Sequence, residues 1–246
     1  MTSEDVTLED EGAAPDGSDG AAGQDAEMLL RMYERPSRNV IITGINRSGT
    51  SLFCTLLHGL PNTVALNEVL YDVDNLPLHL ALVRYRVLHD QPVPNKFQNG
   101  RPTTNPVEDG VSVEERRVDK NVDDDVLVAS NVNIPYLVQL DTILGYGFKV
   151  IAVLRHPVYT IASWNQPKCR TIPEAHVTDD DMHERWADID FPVDGRLERQ
   201  AMLWNYFAGL IWSYRHRIAV CRYEEITGPT SRTLRDVCGF LGAGPP

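Results

Sequence analysis

A chain of 246 residues, 42% hydrophobic and 8% aromatic, is long enough to bury a substantial single core, and its composition is that of an ordinary globular enzyme. The net charge of −12 is unevenly spread: residues 1–30 hold nine acids and no Lys or Arg, leaving about −3 for the remainder. The absence of a basic stripe argues against a nucleic-acid partner, and no apolar run approaches the length that spans a bilayer.

The leader, rich in Ala, Gly, Asp and Glu, has nothing to bury before Met28-Leu29-Leu30, so residues 1–30 are expected to be disordered and residues 31–246 to form one domain. Nothing in that leader reads as a signal peptide. The first strong signal is Asn39 to Leu52. An apolar β-branched run ends at Gly44, a short glycine-bearing loop follows, and a helix opens around Thr50 and Ser51. Gly44 to Ser51 has the spacing of a phosphate-cradling loop, in which backbone N–H groups and a helix N-terminus surround an anion. Where a nucleotide triphosphatase carries Lys after the second glycine, this chain has Thr50, and its cation, Arg47, stands two residues before Gly49. That departure argues against handling a γ-phosphate with magnesium and for gripping another anionic group.

The helix is expected over Ser51–Gly59, and Asn62–Leu66 reads as a short strand leading to Asn67 and Glu68. A second helix is expected over Leu76–His89. Residues 91–124 are polar and rich in Pro, Asn and Asp, too long for a simple connection, and read as a lid or substrate loop. Val126–Ala129 is a strand, and Asn133-Ile134-Pro135 starts a helix with Asn as cap and Pro in the first turn, ended by Gly145-Tyr146-Gly147. Lys149–Leu154 is a continuous apolar run of the length of a buried parallel strand, passing directly into Arg155-His156-Pro157 and a helical segment that reaches Ser163-Trp164. An Arg fork and a hydroxyl at the carboxyl end of such a strand suit a phosphate.

Residues 165–194 form a second irregular segment with Trp186 and many acids, Arg196–Tyr214 a long amphipathic helix, Ile218–Arg222 a strand and Thr230–Leu241 a last helix. Strands alternating with helices predict a parallel sheet with right-handed crossovers. Cys54, Cys169, Cys221 and Cys238 have neither metal-ligand nor disulfide-framework spacing, so the chain reads as reduced and cytoplasmic, with no metal implied. His156 reads as fixing the turn with Pro157, and His58, Trp204, Tyr206, Trp212 and Tyr214 as core, while Trp164 and Trp186 are better placed to border a substrate.

Three of these segments carry a family resemblance. Arg47-Ser48-Gly49-Thr50-Ser51 resembles the loop with which sulfotransferases bind the 5′-phosphosulfate of 3′-phosphoadenosine-5′-phosphosulfate (PAPS). Arg155 with Ser163 eight residues on is similar to that family's 3′-phosphate site, and Cys221-Arg222-Tyr223-Glu224-Glu225 resembles its downstream Arg-Tyr-Glu-Asp motif. The motifs occur in the family's order over roughly residues 38–242. The resemblance implies an α/β three-layer sandwich with a central parallel sheet, the P-loop NTPase-like sulfotransferase fold. It implies sulfuryl transfer from PAPS to a hydroxyl-bearing acceptor (small molecule, carbohydrate or peptide tyrosine), without a metal.

By the same resemblance Arg47, Ser48, Gly49, Thr50 and Ser51 hold the 5′ end, Arg47 also serves catalysis, and Arg155 and Ser163 hold the 3′-phosphate. Glu68, 21 residues after Arg47, falls where tyrosyl-protein and several bacterial and carbohydrate sulfotransferases place a catalytic glutamate, with Asp72 and Asp74 as alternatives. Arg222 and Glu224 would support the sheet edge. In the cytosolic branch a Lys-Thr-His-Leu-Pro stretch supplies a base and a cation; the corresponding Asn131-Val132-Asn133-Ile134-Pro135 has neither, and Leu52 replaces that branch's adenine-stacking Trp. The chain is thus nearer the Golgi, tyrosyl-protein and bacterial type, with Lys96, Arg101 or Lys120 as substitute cations. A non-catalytic nucleotide-binding relative is the alternative suggested by the missing Lys and by an end at Pro246 soon after the last helix. A P-loop small-molecule kinase would want Lys at position 50 and an Asp ending a neighbouring strand.

Overall fold

The computed structural model describes residues 27–106, 108–169, 172, 174, 189–190, 195–228 and 231–243. Five strands, β1 (Asn39–Gly44), β2 (Thr63–Asn67), β6 (Leu127–Asn131), β7 (Lys149–Leu154) and β8 (Ala219–Arg222), form one sheet in the order β2-β6-β1-β7-β8, every adjacent pair parallel. β1, β2 and β6 are buried along their whole length, as strands of a parallel sheet covered on both faces are.

Alternate residues of the strands feed two cores. Val40 and Ile42 pack with Phe53, Cys54 and Leu57 of helix α1 (Thr50–His58) and with Val237 and Leu241 of the last helix, α8 (Ser231–Leu241). Ile41, Val64 and Val128 face the opposite way, toward Leu76 and Leu80 of α2 (Leu76–Leu88), α3 (Ile134–Leu137), α4 (Leu140–Gly145), α5 (Pro157–Trp164) and α6 (Arg196–Ser213). Helices on both faces of a parallel sheet make an α/β three-layer arrangement, in which each fully buried Val, Leu or Ile contributes about 1.5–3 kcal/mol. A buried cation ties the layers together. Arg84 on α2, fully buried, donates to the carbonyls of Met32, Arg38 and Val126 and to Asn39 Oδ1 at 2.7 Å.

The strands align so that their carboxyl ends share one edge. Gly44 lies beside Val153, Asn67 beside Asn131, and Leu154 beside Arg222. The crossover after β1 carries α1 to one face while β7 is followed by α5 on the other, so the chain diverges at the β1–β7 boundary, where open α/β sheets bind ligands. A Cβ at Gly44 would run into the Val153 carbonyl, so the close approach of these two strands requires glycine here.

Several expectations are corrected. Much of the polar stretch 91–124 is a second, antiparallel sheet of three strands, β3 (Val93–Gln98), β4 (Arg101–Pro102) and β5 (Val111–Arg116), in the order β4-β3-β5. The helix after Asn133 is two short helices broken at Val138-Gln139, and the Asn133 side chain makes no capping bond. Trp164 is core, 1% exposed, rather than at a substrate border, while Tyr206 and Trp212 on α6 are solvent-exposed rather than core. Tyr223–Thr227 forms a further short helix, α7. Residues 27–33 are helical, so the helix begins within the last four residues of the expected leader; residues 1–26, Trp186 and most of 165–194 lie outside the described residues.

Candidate active site

The residues that follow each strand converge on a cleft of about 650 Å³ at the carboxyl edge. Arg47, Gly49, Thr50 and Ser51 line it from the first loop, Glu68 and Tyr71 from the segment after β2, Asn133 from the start of α3 and Arg155 from the end of β7. Tyr223 closes it from the end of β8, and Lys96 and Asn105 enter from the second sheet and its connection.

The loop 45–49 turns sharply, with Arg47 at φ 70° and Gly49 at φ 91°. The left-handed region is unfavourable for a non-glycine residue, and its appearance at Arg47 marks a conformation imposed by the surroundings. The first intrahelical bond of α1 runs from the Phe53 N–H to the Gly49 carbonyl, and no side chain caps the helix, so the N–H groups of its opening turn point out beside the cleft as an anion-favouring terminus. Ser48 Oγ is buried and without a hydrogen-bond partner, and so is Arg155 Nε. Of the two, Arg155 belongs to the cleft lining, and an orphaned donor there beside a helix N-terminus fits a phosphate-like anion, whose oxygens accept such bonds.

The cations are held in place by neighbours. Arg47 Nε donates to Ser163 Oγ at 3.0 Å and its Nη1 to Asn105 Oδ1 at 2.8 Å. The Arg155 guanidinium lies 4.5 Å from the centre of the Tyr223 ring, a cation–π contact, and its Nη1 reaches the Arg47 carbonyl at 3.4 Å. The resemblance pairs Ser163 with Arg155; the structure instead joins Ser163 to Arg47, and neither Ser48 nor Ser163 belongs to the cleft lining. Glu224, from the third motif, accepts from the His156 N–H at 2.9 Å, while His156 Nδ1 accepts from the Val158 N–H. Although burial pushes the Glu224 carboxyl upward, that N–H and the charges of Arg222 and Arg155 hold it below the ordinary carboxylate range.

On the far side Glu68 also adopts a left-handed backbone, φ 52°. Its Oε2 accepts from Lys96 Nζ at 2.6 Å and its Oε1 from Asn133 Nδ2 at 3.1 Å, and both members of the ion pair are largely buried, at 16% and 18% side-chain exposure. Asn133 Oδ1 in turn accepts from the Thr50 hydroxyl at 2.6 Å. An unbroken line of side chains, Lys96–Glu68–Asn133–Thr50, therefore joins the carboxylate to the anion loop. Of the three substitute cations, Lys96 alone enters the cleft lining: Lys120 donates to the His58 and Leu60 carbonyls at the end of α1, and Arg101 is exposed. Asp72 holds Asn75 at 2.8 Å and, like Asp74, lies outside the cleft lining. His58 faces inward, Nδ1 accepting from the Ala65 N–H at 3.2 Å.

Sequence reasoning did not reach Asn105, Tyr71 or the stacking of Tyr223. Asn105-Pro106 carries a turn signal, but nothing local ties that turn to Arg47. Among the described residues no group of three or more His, Cys, Asp or Glu is placed to hold a metal, and no helix is long and apolar enough to cross a membrane. Neither a protein-family model nor a curated protein matches this chain.

Proposed function

We propose that this chain is a PAPS-dependent sulfotransferase with the P-loop NTPase-like sulfotransferase fold, acting on a hydroxyl acceptor. The observation that carries the reading is the convergence, in one cleft at the β1–β7 divergence, of a lysine-free anion loop, the stacked Arg155 and a carboxylate opposite them. Arg47 and the opening turn of α1 would neutralise the 5′-phosphosulfate, with Ser48, Gly49, Thr50 and Ser51 forming its cradle. Arg155 would hold the 3′-phosphate, and Ser163 would act by fixing Arg47. Glu68 would take the acceptor's proton as the hydroxyl oxygen attacks sulfur in line and the bond to the 5′-phosphate breaks. The four cysteines are free and buried, which supports a reducing, cytoplasmic setting.

The test is calorimetric binding of 3′-phosphoadenosine-5′-phosphate (PAP) against ADP and ATP, with and without magnesium, to wild type and Arg155→Ala. Metal-independent binding of PAP that Arg155→Ala weakens about tenfold or more is the expected result. A preference for ATP with magnesium would overturn the reading in favour of a kinase, and PAP binding without turnover on a broad acceptor panel would leave a non-catalytic relative.

A further inference from the structure

Lys96 reaches Glu68 because of the small sheet, not because of its place in the chain. On β3 burial alternates, with Asn95 and Phe97 buried and Lys96 turned the other way between them. Asn95 fastens β3 to the end of β2: its Oδ1 accepts from the Asn67 N–H at 2.8 Å and its Nδ2 donates to the Ala65 carbonyl at 3.1 Å. The ammonium is thereby delivered to the residue directly after β2. Among the described residues Lys96 from β3 and Asn133 from α3 are bonded to Glu68, and Tyr71 from the segment after β2 and the buried Cys54 of α1 feel its charge. Burial, and then the charge of Glu68, pushes the Tyr71 phenol up to about 12 and the Cys54 thiol well upward, so both remain neutral. Arg47 and Arg155 line the opposite part of the cleft.

We infer that Lys96 and Glu68 form a latent cation, a pair with no net charge at rest whose positive charge is unmasked when Glu68 takes a proton. The inference rests on the proposed role of Glu68 as base. The acceptor hydroxyl's proton moves to a Glu68 carboxylate oxygen, its oxygen forms the new bond to sulfur, and the electron pair of the broken sulfur–oxygen bond leaves with the 5′-phosphate. Glu68 is then neutral while Lys96 keeps its three protons. The cleft wall gains one positive charge as negative charge gathers on the leaving phosphate, and the low exposure of the Lys96–Glu68 pair strengthens the action of that charge. Lys96 is here a positioning and charge-compensating residue that works through Glu68. The arrangement spares the donor an extra exposed cation before an acceptor is engaged.

Glu68→Gln imitates the protonated carboxyl, so the inference is tested without an acceptor. Calorimetry with PAPS and with PAP is run on wild type, Glu68→Gln, Lys96→Met, and Glu68→Gln combined with Lys96→Met or with Lys96→Arg, with melting temperatures checking each fold. Glu68→Gln is expected to bind PAPS about tenfold more tightly than wild type. The gain should vanish with Lys96→Met and persist with Lys96→Arg. A merely structural Lys96 would weaken both nucleotides alike. PAP binding by wild type with no gain in Glu68→Gln, or a gain that survives Lys96→Met, overturns the latent cation alone. Failure of wild type to bind either nucleotide overturns the sulfotransferase reading and this inference with it.

Discussion

The Tyr223 ring lies against Gly49, so closely that a Cβ on that glycine would overlap the ring, and the same ring carries the Arg155 guanidinium on it. Two motifs 174 residues apart are thereby pressed into one wall. Gly49 is also left-handed at φ 91°, so Gly49→Ala meets both backbone strain and a clash. We expect it to cost about 1–3 kcal/mol in denaturant unfolding. Adding Tyr223→Ala should recover part of that loss by removing the clash while leaving the strain; no recovery would show that the ring is not the obstacle.

Arg47 and Glu68 should separate binding from chemistry. Arg47→Ala removes the bonds to Ser163 and Asn105 as well as a cation, and PAP affinity should fall about tenfold or more. Arg155→Ala should behave likewise. Glu68→Ala should leave PAP affinity near wild type and abolish turnover. Equal loss of PAP affinity in all three would refute the division of roles.

Asn133 is the hinge of the polar line, giving to Glu68 and receiving from Thr50, and is only 8% exposed. Asn133→Ala leaves a buried Thr50 hydroxyl without its acceptor, at a cost of about 1–3 kcal/mol. Asn133→Asp keeps that acceptor but sets a second carboxylate beside Glu68. Repulsion between the two carboxylates should make Asn133→Asp less stable than wild type near neutral pH, and adding Glu68→Gln should remove that deficit, both read by denaturant unfolding. A deficit that Glu68→Gln leaves unchanged would exclude direct coupling.

His58 gives a pH dependence of definite sign. Burial, then the charge of Lys120, lowers its pKa from 6.5 to about 4. The folded state thus holds the neutral ring, and the unfolded chain binds the proton first as pH falls. The associated stability is present above about 6.5 and lost between about 6.5 and 4. The loss should be roughly 2–3 kcal/mol. His58→Asn, which offers an oxygen to the same N–H, should flatten that part of the stability–pH curve relative to wild type. An unchanged slope would place the acid sensitivity elsewhere.

Among the described residues Arg84 meets four neutral acceptors and no carboxylate at bonding distance, and burial lowers its pKa to about 10. Arg84→Met should lower stability by about 3 kcal/mol or more, since it orphans three carbonyls and Asn39. Urea unfolding measures this; a change under 1 kcal/mol would mean that water takes over the bonds.

The sequence by itself determined the parallel strands and the anion loop, because both are written in neighbouring residues. Val40–Ile42 and Val150–Leu154 are unbroken apolar runs, and such runs are stable only when covered on both faces. Gly44 and Gly49 mark that loop in the sequence, although what a Cβ would meet there, the Val153 carbonyl and the Tyr223 ring, comes from distant segments. Glu68 was legible as a residue ending a strand, and Arg155 for the same reason. Only the tertiary structure decided what these groups touch. β3 escaped notice because its alternation is carried by Asn95 and Lys96 as well as Val93 and Phe97, so no apolar periodicity announces it. Asn133 reads locally as a helix cap, yet the packing of α3 against β1 turns its side chain to Thr50 and Glu68 instead. Lys96 was one of three equivalent basic residues until the docking of β3 on β2 chose it. Contacts of this kind depend on register and on the meeting of segments distant along the chain, and local spacing contains neither.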